Sequence, residues 1–405
     1  MQILLITQVF YPDTVSVSQH LWDLANHLQM NGHNVTVYTS KYPYENKDVE
    51  YISFEEINGI IIHRINQTKF GKANFYSRII DFGSFNINIS FKLVFTKKSN
   101  YDVIIGTTVP PFLSFIGVLF SKRYKIPFYY WVMDLQPELS IASKLISENS
   151  LSAKFFTFIG NYSIKNSTKI FSLDRFMSAY LSGRGAKKER LFTIPPWPVM
   201  DKFYMGNRLD NPFRIENNFG DKIVIMYSGN HAFVHPLETI LEASKLLMND
   251  KRFLFVFVGG GVRKKDVSEF RSENGSDNII QLPFQPRENI HNSLGSSDLQ
   301  VVIMGDNQLG FTHPNKVYGA LFIGKPVLYI GPSSSHITDI INTLDGNISV
   351  KHGEEEILAK KLIEFANITE EKIDAIGKRN YEYARLNLSP EVLKNKMLTA
   401  IGHNV

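Results

Sequence analysis

The hydrophobic and polar positions of the chain form two successive blocks that are organised alike. In the first block, an apolar run at 3–7 leads through a Tyr-Pro-Asp turn into a helical pattern at about 18–31, and a second apolar run follows at 34–39. A strand, a helix and a strand joined by short connections make one right-handed βαβ unit. The pattern therefore predicts a parallel sheet.

Further strands complete each block. In the first block they are predicted at 60–62, 103–105, 128–132, 169–171 and 191–194, and in the second at 222–227, 253–258, 279–281, 299–303 and 327–330. The proline-dense run 195–198 is interpreted as the start of a linker. The predicted fold class is α/β: two Rossmann-like doubly wound domains, 1–198 and 199–385, face a cleft, and a C-terminal helix within 386–405 crosses back to the first domain.

A proline-led helix start in the second block carries the clearest candidate for binding chemistry. Pro314 fits the first helical position, with Thr312 or His313 as the preceding cap. The free N–H groups that begin at Asn315 would then point outward at the positive end of the helix dipole, where phosphate binds. Lys316 adds a full charge at the same place. An ordinary core helix with a solvated lysine explains the same residues, and both interpretations stay open.

Length, composition and charge limit the class of protein. The chain has 405 residues, 43% of them apolar, which suits two globular domains. It has no cysteine, so disulfides and thiolate metal sites are excluded, and it has no apolar run as long as a membrane span and no signal peptide pattern. A cytoplasmic location is expected.

The net charge of +5 is clustered in the first half, for example at 97–98, 122–125 and 184–190. Because aromatic residues lie among these charges, peripheral contact with an anionic membrane is a possible role, and solvated loop charges are the alternative. No nucleic-acid-binding signature is present, so nucleic acid is not an expected partner.

Several motifs resemble those of a known enzyme family. Together they resemble the GT-B glycosyltransferases, and within these the retaining glycosyltransferase family 4 that builds bacterial surface polysaccharides, with variants of its "DLWPE" and "PSK" motifs. The likeness covers nearly the whole chain. The motifs that carry it are "ILLITQVFYPDTVSVSQHLWDLANHLQMNGHNVTVYT", "YDVIIGTTVPPF", "DLQPE", "RLFTIPPWP", "IVIMYSGNHAFVHPLETILEA", "FVFVGGG", "LPFQPRENIHNSLGSSDLQVV" and "PNK".

The resemblance implies roles for residues of both domains. On the donor side it places a nucleotide diphosphate against Gly229, Asn230 and His231, the base near Arg263, Leu282 and Pro283, and the phosphates at Asn315 and Lys316, with Phe311 and Tyr318 beside them. In the first domain it places the loop with Asp13, Ser16 and Ser18 beside the sugar, and Asp134 and Glu138 on the acceptor side.

The chain also departs from the family pattern. Two glutamates usually flank the phosphate-binding helix, and their places fall here on Phe311 and Gly319. Asn230 stands where an arginine is frequent, and Met133 stands where many members have a histidine. Ribose recognition and donor identity are therefore not expected to follow from the family pattern, and Lys316 is expected to supply the charge that the lost pair would have given.

The expected reaction moves a sugar from a nucleotide-diphosphate donor, most simply a UDP-sugar, to a saccharide or polyprenyl-linked acceptor. Lys316 would neutralise the departing diphosphate without a metal or other cofactor, since no Asp-x-Asp motif lies at a strand end. Asp134 is the candidate partner of the acceptor hydroxyl, with a helix cap before Pro137 as the alternative. His231 and His235 are candidates for structural loop groups as much as for ligand contacts.

Two other functions remain open from the sequence. One is a nucleotide-sugar epimerase of the same fold, for which no carboxylate cluster is recognisable. The other is a binding protein that has lost catalysis, which the two missing glutamates favour. A dehydrogenase is disfavoured because the spaced glycine fingerprint is absent after the first strand, where the chain reads Thr-Gln-Val-Phe-Tyr-Pro.

Overall fold

The computed structural model describes residues 1–44, 48–71, 75–96, 100–200 and 208–402. Their contacts divide the chain into two compact units. The first unit contains 1–195, 310–313 and 394–405, and the second contains 196–309 and 314–393. The first unit thus includes two short segments that are distant in sequence. The basic pair at 97–98 lies outside the described residues.

The described part of the first unit contains an eight-stranded sheet with helices packed on it. Its strands follow the order β3-β4-β2-β1-β5-β6-β7-β8, and neighbours are parallel except for β3 and β4. Its elements are β1 (Gln2–Ile6), α1 (Ser16–Met30), β2 (Asn34–Ser40), β3 (Phe54–Ile57), β4 (Ile60–Ile65), α2 (Phe75–Val94), β5 (Val103–Thr107), α3 (Leu113–Tyr124), β6 (Phe128–Trp131), α4 (Glu138–Ala142), α5 (Leu151–Asn166), β7 (Lys169–Ser172), α6 (Arg175–Gly183) and β8 (Leu191–Thr193).

The second unit contains a six-stranded sheet in its described part, in which all neighbours are parallel. The strand order is β11-β10-β9-β12-β13-β14. The remaining elements are α7 (Pro212–Glu216), β9 (Ile223–Asn230), α8 (Glu238–Leu246), β10 (Phe253–Gly260), α9 (Lys264–Asn274), β11 (Ile279–Leu282), α10 (Ile290–Gly295), β12 (Leu299–Ile303), α11 (Lys316–Phe322), β13 (Val327–Ile330), α12 (His336–Ile341), β14 (Ile348–Val350), α13 (Glu355–Ala366), α14 (Glu370–Asn387) and α15 (Pro390–Gly402).

Strand alternation explains why β9 and β10 are covered on both faces of the second sheet. Val224 and Met226 of β9 pack into one apolar cluster, whereas Ile225 and Tyr227 pack into another. Because successive strand residues point to opposite faces, a strand that is apolar at every position must be covered on both sides. The continuous apolar runs of the sequence are therefore buried strands, and their carboxyl ends deliver the loops of the candidate site.

The predicted strands and the two-sheet α/β fold class are confirmed, with differences at element ends. One difference affects the candidate site: α11 begins at Lys316, two residues after Pro314, and Asn315 precedes it without a side-chain capping hydrogen bond. The predicted cap at His313 is wrong because that side chain pairs with Asp174, 2.6 Å away. The carbonyl of Pro314 is likewise used outside the helix, by His336.

The last helix, α15, is anchored by a buried lysine. Lys169 on β7 places its Nζ 2.7 Å from the carbonyl oxygen of Ala400 and 3.3 Å from that of Ile401. Farther up the helix, Asn395 lies within hydrogen-bond distance of His27 on α1. These contacts attach the end of the chain to the first unit, because a lysine near a helix end binds carbonyls that the helix leaves unsatisfied. In the described part of the chain, no helix combines the length and apolarity of a membrane span.

A buried carboxylate, that of Asp298, connects β9 in the second sheet to two arginines. Asp298, at the start of β12, accepts a hydrogen bond from the backbone N of Val224 on β9, at 2.8 Å. It also pairs with Arg208 at 2.9 Å and with Arg214 at 3.2 Å. Asp298 and Arg214 are almost fully buried. Removal of one partner would leave the other charge buried and only partly compensated, which is costly.

We therefore expect Asp298→Ala to lower the free energy of unfolding by about 3–5 kcal/mol. Urea denaturation followed by tryptophan fluorescence measures the effect. The matched control is Asp345→Ala, because this carboxylate is exposed and pairs with Arg379 only at 3.6 Å; its effect should stay below about 0.5 kcal/mol. Equal stability of the two variants would contradict the structural role of Asp298.

Candidate functional site

Two glycines lie side by side where β9 and β10 end. Gly229 pairs in register with Gly259 across the two strands. Both have positive φ, 120° and 124°. A side chain at Gly259 would overlap the carbonyl oxygen of Gly229, so only glycine fits there. The two glycines therefore let the two strand ends lie in close contact, at the edge of the sheet where ligands of such folds bind.

Lys316 reaches from the first residue of α11 to this pair of strand ends. Its Nζ lies 3.5 Å from the ring centroid of Tyr227 and 3.4 Å from the carbonyl oxygen of Asn230. A Cβ at Gly229 would lie 3.0 Å from Lys316 Cε. No carboxylate pairs with Lys316 among the described residues. The ring face and the carbonyl attract the ammonium but do not neutralise it.

Burial in this surrounding lowers the pKa of Lys316 well below its usual value. Loss of water destabilises the charged form, and within the described ranges no carboxylate near Lys316 compensates for it. An anion bound beside the ammonium would reverse the shift and release that cost. The electrostatic arrangement therefore favours the binding of an anion at this position.

Tyr227 organises the loop after β9. Its hydroxyl donates to the carbonyl oxygen of Asn230 at 2.9 Å and lies 2.8 Å from His235 Nδ1. Burial lowers the pKa of His235 to about 3 and that of His231 to about 4, and the positive charge of Lys316 acts in the same direction. Both imidazoles are therefore neutral at pH 7, so neither histidine adds a positive charge beside Lys316.

His231 is a buried member of the loop. Its Nδ1 lies 3.1 Å from the carbonyl oxygen of Gly260, and its ring packs edge-on against Tyr227. Its Nε2 is buried, with no hydrogen-bond partner in the described part of the chain. This geometry suits a structural role for His231 in the loop after β9, and its Nε2 could make one further polar contact.

The residues expected near the base lie around the ends of β10 and β11. Arg263 forms ion pairs with Glu238 and, at 2.7 Å, with Asp266. Leu282 ends β11 and Pro283 follows it. The exposed ring of Phe284 lies against Gly259 and would contact a Cβ built there at 3.2 Å.

The helix α11 contributes a charge more than a dipole. It contains seven residues, so its N-terminus is a weak source of positive potential. Asn315 is the residue before the helix, and Tyr318 is buried in the core behind it. The expected phosphate site at a helix start therefore depends chiefly on the side chain of Lys316.

In the first unit, Asp134 follows strand β6. Its backbone N donates to the Thr108 hydroxyl at 3.4 Å, and the next N–H, of Leu135, donates to the carbonyl of Phe311 at 3.0 Å. The carboxyl keeps contact with solvent. The surrounding protein nevertheless removes water from around the carboxyl, and this desolvation raises the pKa of Asp134 to about 6, whereas the charge of His313 opposes the shift. Asp134 is thus ionised at pH 7 but close to its titration point.

A histidine–carboxylate pair lies in the same part of the first unit. His313 Nδ1 is 2.6 Å from the Asp174 carboxylate, whose other oxygen accepts the backbone N of Met177 and so caps α6. Both side chains are buried. Sequence analysis missed this pair because its members are far apart in the chain and neither belongs to a recognisable motif.

The remaining predicted residues of the first unit are engaged in structure. Glu138 forms an ion pair with Arg184 and accepts the Tyr180 hydroxyl at 2.8 Å. Asp13 accepts the backbone N of Tyr44 at 2.6 Å. The next two lie at the start of α1: Ser16 Oγ is 3.4 Å from His20 Nδ1, and Ser18 is buried, with no hydrogen-bond partner for its Oγ among the described residues.

The structure therefore brings the predicted residues together in two sets. Gly229, Asn230 and His231 lie near Lys316 in the second unit. Asp134 and Phe311 lie together in the first unit. Tyr227 was missed by sequence analysis, although its place two residues before a glycine at a strand end was a signal that could have found it.

Two family models match the chain in succession. The model described as Glycosyltransferase Family 4 matches residues 17–197, and that described as Glycosyl transferases group 1 matches 210–383. The chain belongs to the GT-B glycosyltransferases. A curated relative of this glycosyltransferase is the putative colanic acid biosynthesis glycosyl transferase WcaI of Escherichia coli K12, which is 21% identical over 85% of this chain and 87% of its own length.

Solved structures share the fold over nearly the full length. Sucrose-phosphate synthase from Thermosynechococcus elongatus superposes with a TM-score of 0.78 and 13% identity, covering 99% of this chain and 98% of that one. Alr3699/HepE of Anabaena, in complex with UDP and glucose, superposes with a TM-score of 0.72 and 12% identity, covering 99% of both chains. At these identities the likeness establishes the GT-B fold alone.

The low pKa of His231 predicts a pH-dependent stability. In the unfolded chain the His231 imidazole binds a proton near its ordinary pKa of 6.5, whereas in the folded chain burial lowers this pKa to about 4. The part of the free energy of unfolding that depends on neutral His231 is therefore fully present above pH 6.5 and is lost as the pH falls towards 4. The loss between pH 7.5 and 5 is on the order of 2 kcal/mol. Urea unfolding at both pH values should show this loss in the wild type and less of it in His231→Gln. An unchanged pH difference in the variant would rule the histidine out as its source.

Proposed function

We propose that this glycosyltransferase transfers a sugar from a UDP-sugar to a saccharide or polyprenyl-linked saccharide in the synthesis of a bacterial surface polysaccharide. The observation that carries the proposal is the ammonium of Lys316, held at the glycine-lined ends of β9 and β10 without a carboxylate partner among the described residues. A diphosphate is a ligand that matches a desolvated cation at the carboxyl ends of parallel strands.

Lys316 also suits the chemistry of transfer. When the bond from the sugar to the diphosphate breaks, negative charge develops on the leaving oxygen. A fixed cation beside that oxygen stabilises the transition state more than the ground state, and this difference accelerates the reaction. In the proposed mechanism Lys316 takes the part that a metal ion plays in other transferases. Asp298 has no part in this mechanism, because its carboxylate is already paired with two arginines in the structure of the second unit.

The base and ribose would lie along the ends of β10 and β11. In this proposal Leu282 and Pro283 offer backbone groups, Phe284 offers an exposed ring, and Arg263 shapes the loop through its ion pairs. Uracil is the proposed base. Its support is the UDP bound in Alr3699/HepE, a structural neighbour of the same fold.

Asp134 is proposed as the partner of the acceptor hydroxyl. With its pKa raised to about 6, the carboxylate is ionised at pH 7 yet more basic than an ordinary aspartate. It can accept a hydrogen bond from the attacking hydroxyl and receive its proton. We propose that the hydroxyl attacks on the face from which the diphosphate leaves, so that the anomeric configuration is retained.

The pathway is inferred from relatives. The Escherichia coli relative is described as a colanic acid biosynthesis enzyme, and a further curated relative is the probable glycosyltransferase WbjE of Pseudomonas aeruginosa, 23% identical over 60% of each chain. Such pathways extend saccharides on lipid carriers, so we place the enzyme at the inner face of the cytoplasmic membrane. We also retain the division into an acceptor domain, 1–198, a donor domain, 199–385, and a terminal helix segment, 386–405.

A donor-binding protein without transfer activity is the second candidate. The specific observation that favours it is the absence of both expected glutamates, since Phe311 and Gly319 occupy their places. Both candidates bind the donor through Lys316 and differ only in turnover. A measurement of UDP binding therefore tests the shared site, and a measurement of sugar transfer separates the two functions.

We expect UDP to raise the melting temperature of the wild type and to lose this effect in Lys316→Ala. Loss of a charge-assisted contact to phosphate weakens binding by about 10- to 100-fold. Differential scanning fluorimetry with UDP, GDP and CMP measures the shift. Lys360→Ala is the matched control, because this lysine is exposed on α13 of the same unit. Equal shifts in Lys316→Ala and the control would place the diphosphate elsewhere, and a larger shift with GDP would replace the proposed base.

We expect Asp134→Asn to bind UDP normally but to lower sugar transfer by about 10²- to 10⁴-fold. In the wild type, transfer should fall as the pH drops through 6, because a protonated carboxyl cannot accept the hydroxyl proton. The variant should lack this acid limb. Transfer of labelled sugar from a UDP-sugar to a bacterial lipid extract measures both. Binding without turnover in the wild type would favour the binding-protein function.

A further inference from the structure

Three helices of the first unit form a layer on one face of its sheet. α2 packs against α3, and α3 packs against α5. Asn86 on α2 donates to the carbonyl of Pro111 just before α3. Between α3 and α5, the ring of Phe115 lies 5.2 Å from that of Tyr162. The outward faces of the three helices are therefore neighbours, and we call their combined outer surface the helix-layer surface.

The part of this surface formed by α2 is apolar. At 100° per residue, Ile80, Ile87, Phe91 and Val94 lie within a narrow arc opposite the buried residues Phe85 and Ile89. They are exposed by 48%, 58%, 61% and 46%, and Phe95 just beyond the helix is exposed by 82%. An ordinary surface helix has polar residues on this side. The stripe is an unusual exposed feature of the kind that marks interaction sites.

The other two helices continue the apolar surface. On α5, Leu151, Phe155 and Phe158 recur at helical spacing and are exposed by 85%, 54% and 66%. On α3, between the other two helices, Leu119 is exposed by 45%. An apolar surface thus extends across all three helices and is not a set of single exposed residues.

The exposed charges described on the three helices are positive. Exposed basic residues lie at the ends and edges of the apolar area: Lys122, Arg123, Lys154 and Lys165. The acidic residue of these helices, Asp81, is buried and accepts backbone hydrogen bonds from Phe70 and Gly71. The helix-layer surface therefore combines apolar and cationic character with no exposed carboxylate in its helices.

A cavity of about 480 Å³ opens at the C-terminal end of the α2 stripe. Phe91 and Phe95 line it together with Phe54, and its cationic groups are Lys92 and Arg64. Aromatic rings and cations at one depth suit the headgroup region of a bilayer, where both kinds of side chain are stable.

We propose that the helix-layer surface docks on a lipid bilayer rich in anionic lipids. The exposed rings and aliphatic side chains enter the boundary between headgroups and acyl chains, and the basic residues contact headgroup phosphates. The uniform charge favours this occupant over a second copy of the chain, since two copies of the surface would bring like charges together. The inference names the surface that would hold the enzyme at the membrane where the proposed function places it, and so rests on that placement, although it does not require the transfer reaction itself.

Co-sedimentation with vesicles tests the proposal on the full-length protein. Vesicles of phosphatidylcholine alone are compared with vesicles that contain about one third phosphatidylglycerol, at low and at high salt. The wild type should bind the anionic vesicles, more weakly at high salt. We expect Phe91→Ser/Phe158→Ser to lower the affinity for anionic vesicles by at least about tenfold. We expect Lys122→Glu/Arg123→Glu to lower this affinity by at least about fivefold for each reversed charge.

Matched controls separate the surface from general effects. Met30→Ser removes an apolar side chain that is 85% exposed at the end of α1, outside the helix layer, and should leave binding unchanged. Lys360→Glu reverses a charge in the second unit and should also bind normally. All variants should melt within a few degrees of the wild type, because the altered side chains are exposed.

Two outcomes would overturn the proposal. One is the failure of the wild type to bind anionic vesicles at low salt. The other is a stable dimer in light scattering that Phe91→Ser/Phe158→Ser dissociates, which would assign the surface to self-association. UDP stabilisation through Lys316 is measured without vesicles, so the failure of either proposal can be recognised independently of the other.

Discussion

A partly buried ammonium beside an aromatic ring is the interaction on which the second unit's candidate site depends. Lys316 lies over the Tyr227 ring and near one carbonyl, with no carboxylate partner among the described residues. The same charge helps to keep two histidines neutral. An arrangement of this kind is costly for a free protein and favourable once an anion arrives. Tyr227, the loop after β9 and the start of α11 together hold the Lys316 ammonium in this position.

Backbone register makes this interaction possible. β9 and β10 run parallel and place Gly229 against Gly259, where a side chain would overlap the neighbouring carbonyl. The strands themselves are fixed by a core that covers both faces of the sheet and by Asp298, which joins β9 and β12 to two arginines. The close approach of the two strand ends thus depends on contacts that hold the same strands farther down.

The first unit combines two different surfaces on one sheet. The loops at the strand ends carry polar groups such as Asp134, whose raised pKa suits exchange of a proton with a hydroxyl. The helices on one face carry exposed aromatic and basic side chains instead of a polar coat. An enzyme whose acceptor is attached to a lipid would use both properties, since the acceptor reaches it only at a membrane surface.

The sequence alone determined the strands, the two-sheet α/β fold and the family, because long apolar runs separated by helical patterns leave few alternatives and the motifs kept their order. It also indicated Lys316 and the Gly229 loop. Tertiary structure decided what these residues touch: the Tyr227 ring beneath Lys316, the pairing of His313 with Asp174 that shifts the start of α11, and the exposed stripe on α2. Such contacts join residues far apart in the chain. Local pattern fixes which way a side chain points within its own element, and only the packing of distant elements fixes what it meets there.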